Sequence, residues 1–161
     1  MNAPTVIAVS RAEIENSACT LSNIIISIRS PGQRRAIVGG NNPVDCLFLE
    51  FNDIDKDGKI WTLHGMMSRD DVKDFDASMA KEVVDFVNKH KDSVEVIICQ
   101  CEAGISRSSG TAAAVCAMLG QHQEDGEFWV GHNCYRPNTN VYKMITKAAG
   151  IKLFKGEVDE G

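Results

Sequence analysis

The stretch Val94-Glu95-Val96-Ile97-Ile98-Cys99-Gln100-Cys101-Glu102-Ala103-Gly104-Ile105-Ser106-Arg107-Ser108-Ser109-Gly110 divides into three parts. A short β-branched apolar run predicts a buried strand, and a loop of small residues follows it. Thr111 to Leu119 is alanine-rich and apolar on every face, which predicts a buried helix. A loop between a parallel strand and a helix leaves several backbone N–H groups without partners, and together with the helix dipole these make an anion site. Phosphate is the oxyanion that fits it best.

Cys101 opens the loop and Arg107 closes it, with five residues between them. A thiol facing several positive dipoles and a guanidinium is expected to have a depressed pKa and to sit largely as thiolate near neutral pH. The guanidinium is a planar fork that can hold two phosphoryl oxygens, in the ground state and better still in the transition state. Ser108 can hydrogen-bond the sulfur and ease its departure from a covalent intermediate. The bland alternative is a glycine-containing strand-to-helix turn around a buried cysteine.

Cys101, five residues, Arg107 and then Ser108 resembles the signature of the cysteine-dependent protein phosphatases. The filling Ala103-Gly104-Ile105-Ser106-Arg107-Ser108 is similar to the dual-specificity branch, which acts on tyrosine and on serine or threonine. The resemblance covers most of the chain from Asp45 onward, and its specific part is Cys101 to Ser108. It implies a loop in which Glu102, Ala103, Gly104, Ile105, Ser106 and Arg107 bind substrate phosphate. Gln100 departs from the family, which usually has His there to help orient the loop and lower the thiol pKa. The nucleophile, the arginine and the hydroxyl are all present.

A chain of 161 residues is long enough for one well-buried core and short for two ordinary domains, so residues 1–161 are expected to form a single catalytic domain. The formal charge of −5 and the lack of a basic stripe argue against nucleic acid as a partner. Six cysteines without regular spacing fit a reducing compartment better than a disulfide scaffold. Thr5 to Val9 is too short for a signal-peptide core and no apolar run could span a membrane, so a cytoplasmic protein is expected.

From the N-terminus, Thr5 to Val9 and Asn23 to Ile28 read as strands, with Arg11 to Leu21 helix-like or irregular between them. Ser30-Pro31-Gly32-Gln33-Arg34-Arg35 reads as a solvated turn, or alternatively as a basic rim that attracts a phosphorylated substrate. Asp45 to Phe51 reads as a strand. In the dual-specificity family the general acid is an aspartate just beyond the strand that neighbours the nucleophile strand. Phe51-Asn52-Asp53-Ile54 resembles that place, making Asp53 the first choice for the acid.

Asp71 is the alternate, because Asp71-Val72-Lys73-Asp74-Phe75 also resembles the family's acid followed by its helix. As a plain structural residue, Asp71 would cap or open that helix together with Ser68 and Asp70. The spacing from Asp53 to Cys101 is long for the family, as though a lid or hairpin were inserted around residues 55–68. Asp53-Ile54-Asp55-Lys56-Asp57-Gly58-Lys59-Ile60 matches the opening of an EF-hand calcium loop, but His64 stands where the closing bidentate Glu belongs and Gly65 interrupts an exiting helix. Asp57-Gly58 therefore reads as a turn, running into Ile60-Trp61-Thr62-Leu63.

Asp71 to His90 carries Phe75, Met79, Val83, Phe86 and Val87 at the spacing of one helical face, with His90 and Lys91 suited to its last turn. Gln121 to Asn133 reads as an irregular or short helical connection in which Trp129 is a core or rim aromatic. Arg136-Pro137-Asn138-Thr139-Asn140-Val141-Tyr142 opens a last helix and resembles the Pro-Asn pair before the final helix of dual-specificity phosphatases. Asn138 is first a helix-start residue and second a contact to the phosphate loop. The tail from Gly156 is expected to fray. Cys19, Cys99, Cys116 and Cys134 read as small core residues; Cys46 would be a redox partner of Cys101 if its strand neighboured the nucleophile strand. The four scattered histidines give no metal site.

The expected fold is α/β, a mainly parallel central sheet with helices on both faces and the loop at the carboxyl ends of the strands. The expected function is hydrolysis of a phosphorylated protein or peptide through a cysteinyl-phosphate. Cys101 is the nucleophile, Asp53 the general acid, Arg107 and the loop the anion holder, and Ser108 the aid to the leaving sulfur, with no cofactor. Phosphate or vanadate-like oxyanions would occupy the loop. The alternatives are a phosphate-binding pseudophosphatase that recognises a phosphorylated partner, a calcium-responsive protein, and a phosphatase for RNA 5′ ends or phosphoinositides.

Overall fold

Strands β1 (Thr5–Val9), β2 (Asn23–Arg29) and β3 (Asp45–Glu50) are joined by a fourth, Val96–Gln100, in one parallel sheet. The computed structural model describes residues 3–54, 60–62, 65–66, 72–121 and 136–151. Along the chain, a small antiparallel sheet of β4 (Asp53–Ile54), β5 (Ile60–Thr62) and β6 (Gly65–Met66) follows β3 and precedes the strand Val96–Gln100, which is therefore β7. The order across the parallel sheet is β1-β7-β2-β3. β7 and β2 are thus the central pair, buried on both faces, which is why their sequences run Ile24-Ile25-Ile26 and Ile97-Ile98-Cys99 without polar alternation.

The period of two along each strand sends side chains to two separate cores. Ile24, Ile26, Ile28, Ile97 and Cys99 face helices α2 (Ala77–His90), α3 (Arg107–Met118) and α4 (Thr139–Ala148). Ile25, Val96 and Ile98 face the other way, against Ile14 of α1 (Arg11–Glu15) and against Ala36 and Val38. Helices cover both faces, as expected. α1 is short but closed at its start by a capping box, with Ser10 and Glu13 each bonding the other's backbone amide.

Two helix starts differ from the sequence reading. α2 begins at Ala77 rather than Asp71, because the Asp76 carboxylate takes the Met79 amide at 2.9 Å and ends the preceding extended segment. Phe75 consequently lies outside the helix, where its ring meets Phe51 at 4.8 Å. α3 starts at Arg107, four residues before Thr111, so the arginine of the signature is also the first residue of the helix. The expected hairpin running into Ile60 is present as the antiparallel pair β4–β5, with Asp53 opposite Trp61 and Ile54 opposite Ile60. Asp55, Asp57, Gly58, His64, Asp71, Trp129, Cys134 and the tail from Gly156 lie outside the described residues.

Asp45 opens β3 and reaches the last turn of α2, where its Oδ2 accepts from His90 Nε2 at 2.8 Å. That bond, and after it the Cys46 amide, hold the Asp45 carboxyl below the ordinary aspartate value. A depressed native carboxyl contributes stability above the unfolded value and loses it as pH falls through the native one. Asp45→Asn is therefore expected to melt below wild type at neutral pH, with the gap closing below about pH 3.9. Melting temperatures of the two proteins across an acid series check this; a gap that persists unchanged into acid would contradict it.

Candidate active site

The loop from Cys101 to Ser106 rests on the turn between β1 and α1. The Cys101 amide bonds the Val9 carbonyl at 3.2 Å and the Arg11 amide bonds the Glu102 carbonyl at 3.1 Å. Arg11 Nε also meets Glu102 Oε1 at 2.9 Å, so the Glu102 side chain is turned to α1 and only its backbone can face an anion. Gly104 sits with φ +74°, and a Cβ there would come within 2.6 Å of the Ser10 nitrogen and 2.7 Å of the Val9 carbonyl carbon. Only glycine allows this approach.

Cys101 is 2% exposed at the head of the loop. Its Sγ lies 3.2 Å from Ser108 Oγ and 3.3 Å from the Gly104 amide, so two groups from the far side of the loop converge on the sulfur. The amides of Glu102, Ala103, Ile105 and Ser106 have no hydrogen-bond partner among the described residues. Arg107 is 6% exposed, with Nη1 donating to Ser30 Oγ at 3.0 Å and to the Phe51 carbonyl at 2.8 Å. Its Nε is buried without a partner, and no carboxylate among the described residues pairs with it.

Asp53 is half-buried against the same loop. Its Oδ1 accepts from Ser106 Oγ at 2.8 Å and from Asn138 Nδ2 at 2.8 Å. Asn138 is both things read from the sequence, because its Oδ1 caps α4 at the Val141 amide while its backbone amide bonds the Ser106 carbonyl. The Arg136 amide adds a bond to the Ile105 carbonyl at 2.8 Å. This clamp depends on Gly110, where a Cβ would meet the Asn138 oxygen at 2.6 Å.

Several expectations are corrected. The strand before Asp53 is β3, which does not neighbour β7; β2 lies between them, and Asp53 reaches the loop through β4 instead. The same order undoes the Cys46 to Cys101 pairing, since strands two apart stand roughly 10 Å from each other, beyond the ~7 Å Cα limit for a disulfide. Cys46 also packs in the opposite core, where burial pushes its thiol up to about 12. Burial likewise raises Cys99. The two arginines of the turn at residues 30–35 have partners of their own. Arg34 bonds Glu15, holding that carboxyl down to about 2, and the Arg35 guanidinium lies 4.2 Å from the centre of the Phe48 ring.

Ser30, Ser27 and Gly110 are the residues of this neighbourhood that the sequence reading did not single out. Ser27 had a signal, as the one polar residue inside Ile24-Ile25-Ile26-Ser27-Ile28. Ser30, in a turn composed like any other, had none. Among the described residues no cluster of His, Cys, Asp and Glu could hold a metal ion, and no helix is long and apolar enough to cross a membrane.

A parallel sheet thus carries a thiol-to-arginine loop between its central strand β7 and the buried helix α3. Neither a family model nor a curated protein matches the chain. Among solved structures it is similar to PTPMT1 in complex with PI(5)P, at 13% identity over 91% of this chain and 90% of that one, with a TM-score of 0.53. It is also similar to the human tyrosine phosphatase-like serine/threonine/tyrosine-interacting protein, at 20% identity over 80% of this chain and 77% of that one, TM-score 0.45. Tk-PTP in the active form gives 10% identity over 95% and 85%, TM-score 0.45. At 13% identity the likeness to PTPMT1 is one of fold.

The close approach under the loop can be tested against a neutral control. Gly120 has nearly the same φ, +72°, but open space where a Cβ would go. Gly104→Ala should therefore destabilise the protein by about 1–3 kcal/mol more than Gly120→Ala. Denaturant unfolding of both variants measures the difference, and equal costs would mean that the loop does not need its floor.

Proposed function

We propose that the protein is a phosphomonoester hydrolase acting on phosphorylated protein side chains through a cysteinyl-phosphate. The observation that carries this reading is Arg107, a guanidinium at 6% exposure with a buried, unpartnered Nε. A buried charge without a counter-charge is costly, and an anion bound in the loop would relieve that cost. A dianionic phosphoryl group matches the fork, the unpartnered amides of the loop, and the sulfur beside them.

In this reading the Cys101 thiolate attacks phosphorus in line, forming the S–P bond as the ester P–O bond breaks. Asp53 gives its proton to the leaving oxygen. Because Oδ1 already accepts two hydrogen bonds, the proton that moves is carried by Oδ2. Water then attacks the cysteinyl-phosphate, returning a proton to Asp53, and the S–P bond breaks to regenerate the thiolate and release inorganic phosphate. Ser108 Oγ, 3.2 Å from the sulfur, donates to it as negative charge returns there. The net charge of −5 favours a protein substrate over RNA or phosphoinositides.

Release of phosphate from a small aryl phosphate tests the reading. Vanadate-sensitive turnover is expected in wild type and none in Cys101→Ser. Asp53→Asn should lose about 10²–10⁴-fold in kcat, and Arg107→Lys, which keeps the charge but not the fork, about 10²–10³-fold. Phosphate binding with no turnover in wild type would replace this reading with that of a recognition module.

A further inference from the structure

Gln100 and Ser27 are polar side chains buried within the central strands, at 0% and 3% exposure, and they stand opposite each other in the β2 to β7 register. Gln100 Nε2 lies 3.0 Å from the Cys101 carbonyl, and Gln100 Oε1 lies 2.5 Å from Ser27 Oγ. A carbonyl can only accept, so the amide must present its nitrogen to Cys101 and its oxygen to Ser27. Ser27 is then the donor. The orientation of Gln100 is fixed at both ends without a titratable group.

That orientation acts on the anion site through the peptide plane. In a planar trans peptide the C=O of Cys101 and the N–H of Glu102 point in opposite directions. A carbonyl held toward Gln100 therefore holds the Glu102 N–H away from it, on the side of the loop, where that amide has no partner among the described residues. We infer that Ser27 and Gln100 form a charge-free strut that aims the Glu102 amide at the bound phosphoryl group and at the Cys101 sulfur, making Ser27 a positioning residue for the nucleophile.

This deepens the phosphatase reading and rests on it for the identity of the ligand. Among the described residues the ionisable side chains around the loop include Cys101, Arg107 and Glu102 within it, Cys99 on β7, Cys116 on α3, Arg11 on α1, Asp53 on β4 and Arg136 before α4. None touches Gln100 through a hydrogen bond. With the strut broken, the peptide can rotate, and both the anion and the thiolate lose one N–H dipole.

The test needs no turnover, so it separates failure of this inference from failure of the proposed activity. Alkylation of Cys101 by iodoacetamide at neutral pH is followed on its peptide by mass spectrometry, and inorganic phosphate affinity is measured by titration. Ser27→Ala and Gln100→Met, each shown to unfold cooperatively, are expected to weaken phosphate binding about tenfold, the loss of one hydrogen bond to an anion, and to slow alkylation as the thiolate loses the same dipole. Ser27→Thr keeps the hydroxyl and should restore both. Folded Ser27→Ala and Gln100→Met proteins that alkylate and bind phosphate like wild type would overturn the inference. So would a Ser27→Thr protein that behaves like Ser27→Ala.

Discussion

The guanidinium of Arg107 is buried with no carboxylate paired to it among the described residues, and the arrangement of the chain around it follows from that constraint. Its Nη1 is held by a hydroxyl and a carbonyl, Ser30 beyond β2 and Phe51 beyond β3, so the carboxyl ends of two strands fix the fork from one side. Neutral partners orient the charge and leave it uncompensated. A carboxylate there would have satisfied the arginine and closed the site to a phosphoryl anion.

The loop needs a floor as well as a charge. Its carbonyls are taken up from outside the loop, Glu102 by the Arg11 amide, Ile105 by the Arg136 amide and Ser106 by the Asn138 amide. The chain thus binds the outer edge of the loop from the β1–α1 turn and from the entry to α4. Gly104 and Gly110 permit the two close approaches that bring those segments in. Asp53 is tied into the second of them, so the carboxylate and the loop share Ser106 and Asn138 as common anchors.

The sheet and its faces were legible because buried parallel strands leave a strong mark, in unbroken runs such as Ile24-Ile25-Ile26 and Ile97-Ile98-Cys99. Cys101, Arg107 and Ser108 were legible because their spacing is short and lies within one loop. Strand order was not, since nothing local distinguishes a neighbour from a strand two places away, and the pairing of Cys46 with Cys101 failed for that reason. The start of α2 was misplaced because Asp70, Asp71, Asp74 and Asp76 are all acceptable caps by type, and only the fold selects Asp76. Ser30 acts across 77 positions of sequence on Arg107, a contact that no pattern within the chain announces. Gln100 was conspicuous as a departure from the family, yet its structural meaning required the position of Ser27.

The central claim is that the loop holds a phosphoryl group against the Cys101 sulfur and that the group passes through that atom. The most direct measurement is mass spectrometry of the Asp53→Asn protein, acid-quenched within the first turnover of an aryl phosphate whose leaving group needs no proton. The account predicts a single phosphoryl adduct on the peptide carrying Cys101, absent after Cys101→Ser. Turnover with no adduct, or an adduct on another residue, would contradict it.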